Sequence, residues 1–200
     1  MEIKKERTFV AIKPDGVQRS LIGEIIGRLE RAGLKLVAMK MAVVTPAMVE
    51  QHYTVDPNWR VITGQKTVEA YKKQGKNPPS EDPVKITEII LNNLKKYMSS
   101  GPMIAMVWEG VHAVGIVRKL VGGTEPLTSD VGTIRGDFTI DSYILSDMDG
   151  RSVRNLIHAS GNTSDADKEI ALWFKKDELV NYRLIQEAIL YDVNLDGILE

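Results

Sequence analysis

The sequence predicts an α+β fold: a ferredoxin-like βαββαβ sandwich with an antiparallel sheet that is covered by helices on one face and carries two insertions. Short apolar runs of strand length alternate along the chain with stretches whose apolar residues recur at helical spacing. Two βαβ-like halves follow one another. The 200 residues suit one domain over 1–200, and the hydrophobic (43%) and charged (26%) fractions are ordinary for a globular protein.

The first strand and the first helix have clear limits. Residues 8–12 form a short β-prone run, and Pro14-Asp15-Gly16 predicts a turn that ends it, so Lys13 lies at the end of a buried strand. A solvated lysine at a strand end is the alternative interpretation, because lysine side chains are mostly exposed. The next helix carries apolar residues at i, i+3, i+4 and i+7 and ends near Gly33: Ile22, Ile25, Ile26 and Leu29.

The remaining elements follow from the same periodicities and from helix-start signals. Residues 34–44 alternate as a second strand, and Thr45-Pro46 fits the N-cap and first position of a helix over 47–52. Ser164 with Asp167 resembles a capping box that starts a helix. The other predicted elements are a helix over 69–73, a loop over 75–80, a helix from Asp82-Pro83 to about Tyr97, a strand over 102–109, a helix over 111–121, a strand over 133–140 that contains Arg135, a loop over 141–150 and a last helix over 177–190.

Composition excludes several classes of protein. The net charge is −1, from 26 basic and 27 acidic residues, which gives no global case for nucleic-acid or membrane binding. Cysteine is absent, so disulfides and thiolate metal sites are excluded. There is no signal-peptide core and no apolar run of about 18 residues, so we expect a cytoplasmic protein. Residues 192–197 match only the first half of a calcium-binding loop, and we expect no calcium site there.

His158 is the candidate phosphate-handling group that the residue types single out. It lies among small residues ahead of a helix-start signal, with the hydroxyl of Ser160 two residues on and the carboxylate of Glu169 eleven residues on. Free backbone N–H groups at a helix start favour anions, so a histidine there suits phosphate chemistry. A structural histidine that holds the loop is the alternative on this stretch alone.

Cationic side chains at the ends of different elements strengthen the case for a phosphoryl site. Such charges neutralise the oxygens of a phosphoryl group during transfer. The chain has neither a Gly-x-x-x-x-Gly-Lys-Ser/Thr loop nor a Gly-x-Gly-x-x-Gly after a strand, so a nucleotide would be held without a glycine cradle. His52 and His112 lack hydroxyl and carboxylate neighbours, and we expect phosphorylation not to depend on them. The contributing side chains are Lys13, Arg118, Arg135 and His158, with the hydroxyl of Thr124 and the amide of Asn155.

Five separated segments of the chain resemble nucleoside diphosphate kinases. Residues 7–19 are similar to the start of these proteins, and Asn-Leu-Ile-His-Ala-Ser at 155–160 resembles the active-site motif of the family. The other similar segments are 100–110, 132–138 and 169–174. The five segments occur in the family's order and cover most of the chain outside the two insertions.

The resemblance implies transfer of the γ-phosphate of a nucleoside triphosphate to a nucleoside diphosphate, in a ping-pong cycle through a phosphohistidine at His158. It also implies that Mg²⁺ is carried by the nucleotide phosphates, with no metal held by protein side chains, and that the chain forms a homo-oligomer, a tetramer or a hexamer. The catalytic positions of the family fall on His158, Lys13, Tyr53, Asn155, Ser160 and Glu169. The nucleotide-binding positions fall on Lys13, Trp59, Val61, Arg118, Thr124, Arg135 and Asn155.

The chain departs from the family's pattern in three places. Gly161 stands where the family usually has Asp. The base-stacking aromatic falls on Val61 by plain counting, with Trp59 two residues away, and either side chain could pack on the base. Extra length near 64–93 and 141–151 predicts two surface insertions that form a lid, an oligomer contact or nothing functional. These departures leave one alternative, a non-catalytic nucleotide-binding or interaction protein of the same fold.

Overall fold

The computed structural model of the chain describes residues 5–73 and 75–191, and the partial calcium-loop pattern at 192–197 lies outside them. A four-stranded antiparallel sheet has the strand order β2-β3-β1-β4. Helices α2 and α6 connect β1 to β2 and β3 to β4, which gives the predicted ferredoxin-like βαββαβ arrangement. The strands are β1 (Glu6–Ile12), β2 (Lys35–Val43), β3 (Pro102–Gly110) and β4 (Ile157–Ala159).

Ten α-helices occur within the described ranges, and none of these is long and apolar enough to cross a membrane. Two short 3₁₀ turns lie at Pro126–Thr128 and Lys176–Glu178. The helices are α1 (Pro14–Gln18), α2 (Ile22–Arg31), α3 (Pro46–Tyr53), α4 (Trp59–Lys73), α5 (Pro83–Met98), α6 (Ala113–Val121), α7 (Ile134–Phe138), α8 (Tyr143–Met148), α9 (Thr163–Trp173) and α10 (Glu187–Leu190).

Helices cover both faces of the sheet, so the expectation of helices on one face is only half right. Alternate residues of a strand point to opposite faces, and β1 is buried on both. Val10 and Ile12 pack with α2 and α6 on one face, as expected. Phe9 and Ala11 pack on the other face with α3, α5 and α9. The second helical layer is what brings α3 and α9 close to the carboxyl end of β1.

Two of the three predicted helix starts are confirmed. The hydroxyl of Thr45 accepts a hydrogen bond from the backbone N–H of Met48 at the start of α3, and the carboxylate of Asp82 accepts one from Val84 at the start of α5. For α9 the predicted capping box of Ser164 and Asp167 is wrong. Asn162 is the N-cap, because its side-chain oxygen accepts from the N–H of Asp165.

Arg135 lies in a helix and not in the predicted strand over 133–140. The Thr133 hydroxyl accepts from the N–H of Gly136 and starts the single-turn helix α7, so a run that alternates like a strand folds as a capped turn. The fourth strand is instead β4, three residues around His158. Two smaller predictions are also wrong, since Pro14-Asp15-Gly16 begins α1, and the loop predicted over 141–150 contains α8.

The predicted last helix over 177–190 is also wrong. One 3₁₀ turn at Lys176–Glu178 is followed by a segment without regular secondary structure that contacts β2, and only Glu187–Leu190 is α-helical in this part of the chain. The backbone N–H of Val180 donates to the carbonyl of Val37 at 3.0 Å, and the Tyr182 hydroxyl donates to the carbonyl of Leu36 at 2.8 Å. Pairing with the edge of β2 therefore prevails over the helical pattern of this segment.

Candidate functional site

His158 lies in the middle of β4, opposite Ala11 of β1. The residue two before it, Leu156, has a φ of +66°, an uncommon backbone conformation for a side chain of this size. Tertiary hydrogen bonds hold this strained residue: its carbonyl accepts from the N–H of Lys13 at 2.7 Å, and its N–H donates to the Asp15 carboxylate at 3.2 Å. The short strand is thereby fixed to the end of β1, with the His158 side chain beside Lys13.

Glu169 of α9 contacts Nε2 of the His158 ring. Nε2 of His158 lies 3.0 Å from Oε1 of Glu169, and the Ser160 hydroxyl donates to Oε2 at 2.6 Å. Burial opposes ionisation of Glu169, but the charge and hydrogen bond of His158 and the hydroxyl of Ser160 together hold its pKa below the usual value. Since Nε2 faces a carboxylate, Nδ1 of His158 is the nitrogen left for chemistry.

Ser160 connects this carboxylate to the sheet. Its hydroxyl oxygen also accepts from the backbone N–H of Phe9 at 3.2 Å, and its own N–H donates to the carbonyl of Phe9 at 3.2 Å. The side chain of Ser160 is fully buried. The position of Glu169 relative to His158 is therefore set by the backbone of β1.

Lys13 and Asn155 form a buried polar pair beside His158. Nζ of Lys13 donates to Oδ1 of Asn155 at 2.7 Å, and Nδ2 of Asn155 donates to the carbonyl of Thr124 at 2.8 Å. Burial lowers the pKa of Lys13 to about 7, and nearby Arg135 acts in the same direction. An anion in front of this lysine would reverse that shift. The structure excludes the alternative of a solvated strand-end lysine, since Lys13 is only 4% exposed.

Arg135 holds two backbone segments together. Its guanidinium donates four hydrogen bonds to backbone carbonyls: those of Gly122, Gly123, Asn155 and Ile157, at 2.6–3.1 Å. A guanidinium has five N–H donors, so one is left for a ligand. Arg118 differs, because it is exposed and its guanidinium makes no hydrogen bond or ion pair with the residues that the structure describes.

A cavity of about 620 Å³ opens in front of His158, a volume that suits a ligand of nucleotide size. Ser160 and Glu169 are not among its lining residues and lie behind the histidine. Val61, 43% exposed, is not among them either, whereas Trp59 is, with its ring 5.5 Å from that of Tyr53. The predicted site residues that line the cavity are Lys13, Tyr53, Trp59, Arg118, Thr124, Arg135, Asn155 and His158.

The two segments predicted as insertions supply further walls of the cavity. Segment 64–93 contributes parts of α4 and α5, and segment 141–151 contributes α8 and Arg151. The Tyr71 hydroxyl of α4 donates to Asp147 of α8 at 2.9 Å, which joins the two segments. Sequence reasoning missed Tyr71, Asp147 and Arg151, because nothing local in the sequence signals a hydrogen bond between residues 76 positions apart.

The departure at Gly161 has a local structural counterpart. A Cβ at this position would lie 3.2 Å from Oδ2 of Asp165, which also accepts from the Asn162 amide at 2.8 Å. Any side chain at 161 would therefore crowd the Asp165 carboxylate, and a carboxylate there would also repel it. The carboxylate nearest to Gly161 is therefore that of Asp165, in the first turn of α9.

A sequence model described as nucleoside diphosphate kinase matches residues 6–61 and 61–179. The chain belongs to the nucleoside diphosphate kinase family. A nucleoside diphosphate kinase of Pyrobaculum aerophilum is 47% identical over 179 residues, which cover 88% of this chain and 98% of that protein. One of Archaeoglobus fulgidus is 41% identical over 187 residues, covering 94% of this chain and 98% of that protein.

Solved structures of the nucleoside diphosphate kinase family agree with the fold. An NDP kinase from Pyrobaculum aerophilum superposes with a TM-score of 0.84 at 46% identity, over 88% of this chain and 100% of that one. The Borrelia burgdorferi enzyme, solved as a transition state mimic with bound vanadate and ADP, gives a TM-score of 0.77 at 38% identity, over 94% and 97% of the two chains. The predictions of the family, the fold and a phosphotransferase acting between nucleotides are confirmed, and the non-catalytic alternative is not favoured.

Proposed function

We propose that this member of the family transfers the γ-phosphate of a nucleoside triphosphate to a nucleoside diphosphate through a phosphohistidine at His158. The observation that carries the proposal is the orientation of one ring: Nε2 of His158 is bound to Glu169, while the residue lines a cavity rich in cations. A neutral imidazole with its proton on Nε2 has the lone pair of Nδ1 free for attack.

In the first half-reaction Nδ1 of His158 attacks the γ-phosphorus. The N–P bond forms as the bond between this phosphorus and the bridging oxygen breaks, and the nucleoside diphosphate leaves with the bond's electron pair. The imidazole ring gains positive charge, which the Glu169 carboxylate stabilises, and Ser160 holds that carboxylate in place. A second diphosphate then attacks the same phosphorus, and the neutral histidine returns. One site serves both nucleotides in turn, as in a ping-pong cycle.

The cations of the cavity are proposed to bind the phosphates. Lys13, next to Asn155, would face the transferred group, with Tyr53 beside it. Arg118 and the remaining donor of Arg135 would bind the other phosphates, and Thr124 and Asn155 would contribute hydrogen bonds to phosphate and ribose. The base would pack on Trp59, since that ring lines the cavity.

Mg²⁺ is proposed to enter with the nucleotide, held by its phosphates. The types of side chain support this assignment. In the described parts of the chain, the side chains close enough together to bind one metal ion are His52, His158 and Glu169, two of which offer nitrogen atoms. Imidazole nitrogens suit zinc or copper, whereas Mg²⁺ prefers oxygen ligands and binds through one or two carboxylates plus substrate phosphates. When bound, Mg²⁺ would neutralise charge on the phosphate oxygens.

We also propose a cytoplasmic homo-oligomer, a tetramer or a hexamer. The edge strand β2 supports association, since three of its apolar side chains, Met39, Met41 and Val43, are 52%, 60% and 71% exposed. Edge strands with exposed apolar groups are ready to pair or pack with another chain. The segments 64–93 and 141–151 are proposed as additions that shape the nucleotide cavity.

Labelling with γ-³²P nucleoside triphosphate tests the proposed function. Wild-type protein should take up one acid-labile, base-stable label per chain and pass it to a different nucleoside diphosphate. His158→Ala should take up none. The control is His112→Ala, which removes an exposed histidine and should be labelled as the wild type is. If His158→Ala took up label at the wild-type rate, the proposed mechanism would be wrong.

A further inference from the structure

His52 lies in an aromatic cluster directly behind the proposed nucleophile. It is the last residue but one of α3, is 1% exposed, and packs against Phe9 and Trp173. Its ring centroid lies 4.4 Å from that of His158, and the two ring planes cross at 78°. The sequence-based expectation that His52 has no carboxylate neighbour is wrong, because α3 brings it close to both His158 and Glu169.

Trp173 sets the tautomer of His52. Its indole Nε1–H donates to Nδ1 of His52 at 3.2 Å. A ring nitrogen that accepts a hydrogen bond carries no proton, so the neutral ring holds its proton on Nε2. Burial lowers the pKa of His52 to about 3, with His158 acting in the same direction, and the ring therefore stays neutral near pH 7. Nε2 is buried and has no hydrogen-bond partner in the described parts of the chain.

A metal ion is a poorer explanation of this cluster than packing. Three residues, His52, His158 and Glu169, each offer one possible ligand atom, and these three atoms lie within 4.8 Å of one another. However, Nε2 of His158 is already bound to Glu169, and Nδ1 of His52 to Trp173. Zinc needs ligand atoms at about 2.0–2.2 Å, so an ion would require the three groups to close on it and the His158–Glu169 bond to open.

A single hydrogen bond does not fix the orientation of a histidine ring. The Glu169 bond locates one ring atom of His158, but rotation about the Cβ–Cγ bond of histidine has a broad energy profile. Rotation about this bond would turn the other ring nitrogen, Nδ1, away from the cavity. The ring of His52 stands crosswise against that of His158, and the ring of Phe9 lies 5.9 Å away at 50°, so we expect these two rings to oppose this rotation.

We propose that His52 is a positioning residue for His158: with its tautomer set by Trp173, it keeps the nucleophilic nitrogen directed at the transferred phosphate. The inference rests on the proposed phosphohistidine mechanism. His52 does not line the cavity, and it acts on the reaction through His158 alone. Loss of His52 should therefore slow the attack and leave nucleotide affinity unchanged.

Single-turnover phosphorylation by ATP, measured beside the Kd for ADP, tests this separation. His52→Leu should lower the phosphorylation rate constant by roughly tenfold or more, since small misplacements of reacting atoms cost factors up to about 100. Its Kd for ADP should stay within about twofold of wild type. Trp173→Phe keeps an aromatic ring but removes the N–H, and should give a smaller loss of the same kind.

Trp108→Phe is a matched control for Trp173→Phe. Trp108 is also buried, its Nε1 has no hydrogen-bond partner among the described residues, and it packs on the opposite face of the sheet. This substitution should leave the phosphorylation rate constant at the wild-type value. An equal loss of rate in Trp108→Phe and Trp173→Phe would assign the effect to general packing and overturn the proposal.

Nitrogen NMR of histidine-labelled protein gives a readout that does not depend on activity. The wild type should show His52 as the neutral tautomer protonated on Nε2, and Trp173→Phe should shift the population toward the other tautomer. A wild-type rate in folded His52→Leu, or an Nδ1-protonated His52 in wild type, would overturn the proposal. If His52→Leu does not fold, the phosphorylation rate of Trp173→Phe and the tautomer of His52 in the wild type test the proposal instead. Failure of the proposed function would appear separately, as absence of label on wild-type His158.

Discussion

Replacement of Arg135 by alanine should lower both stability and nucleotide affinity. Its four hydrogen bonds join the 122–123 loop to β4, and the side chain is 8% exposed. Hydrogen bonds from a charged donor contribute about 1.5 kcal/mol each at the lower end, or roughly 6 kcal/mol together. About 2 kcal/mol is recovered as side-chain freedom, which leaves a loss of about 4 kcal/mol.

Calorimetry and titration with ADP can separate the two effects. For a chain of this size, about 4 kcal/mol corresponds to a fall in melting temperature of roughly 8–16 °C. Arg118→Ala is the matched control, since Arg118 lines the same cavity but its side chain has no hydrogen bond or ion pair within the described chain. It should melt within about 2 °C of wild type and still weaken ADP binding roughly tenfold.

The two alanine variants must differ in melting temperature for this reasoning to hold. If Arg135→Ala melted within about 2 °C of wild type, the four carbonyl bonds would not stabilise the fold as described. If Arg118→Ala melted as low as Arg135→Ala, the assignment of Arg118 to ligand binding alone would be wrong. Melting both variants at one pH without nucleotide keeps the comparison of stability free of ligand stabilisation, and a separate titration with ADP gives the affinity.

Two further predictions concern the ligand. Burial holds the pKa of Lys13 at about 7, so the lysine is mostly neutral at pH 8, and phosphates that raise this pKa well above 8 should cause uptake of up to about 0.9 proton per ADP bound. Calorimetric titration in buffers of different ionisation enthalpy measures that uptake, which should vanish in Lys13→Arg; equal heats in all buffers for wild type would contradict it. Trp59→Ala should weaken ADP and GDP binding alike, by about 1–3 kcal/mol of lost stacking, and Val61→Ala should change neither by more than about twofold. A larger effect at Val61 would place the base on the other side chain.

Much of the fold could be predicted because its signals are local. The β-prone run that became β1, the apolar run of β3 and the caps at Thr45 and Asp82 each depend on a few adjacent residues. β4 could not be predicted in this way. It has three residues, and its conformation depends on pairing with β1 and on the carbonyl bonds from Arg135, which come from elsewhere in the chain.

The candidate site shows the same division. Residue types and the family resemblance indicated His158, Ser160 and Glu169, and the structure brings all three together. The structural task of Arg135 was not visible, because a sequence shows a cation without showing which carbonyls it binds. The proximity of His52 was equally hidden, since two histidines far apart along the chain meet only when α3 packs on the sheet.

The two edges of the sheet differ in length and in the side chains that they carry. β2 at one edge is long and presents Met39, Met41 and Val43 to solvent, whereas β4 at the other edge is short and carries His158. Two strands separate them, which puts the edges about 14 Å apart at ordinary strand spacing. If β2 is the association surface that we propose, a substitution on its exposed side can therefore leave the surroundings of His158 intact. The proposed association surface and the proposed phosphate chemistry could then change independently of each other.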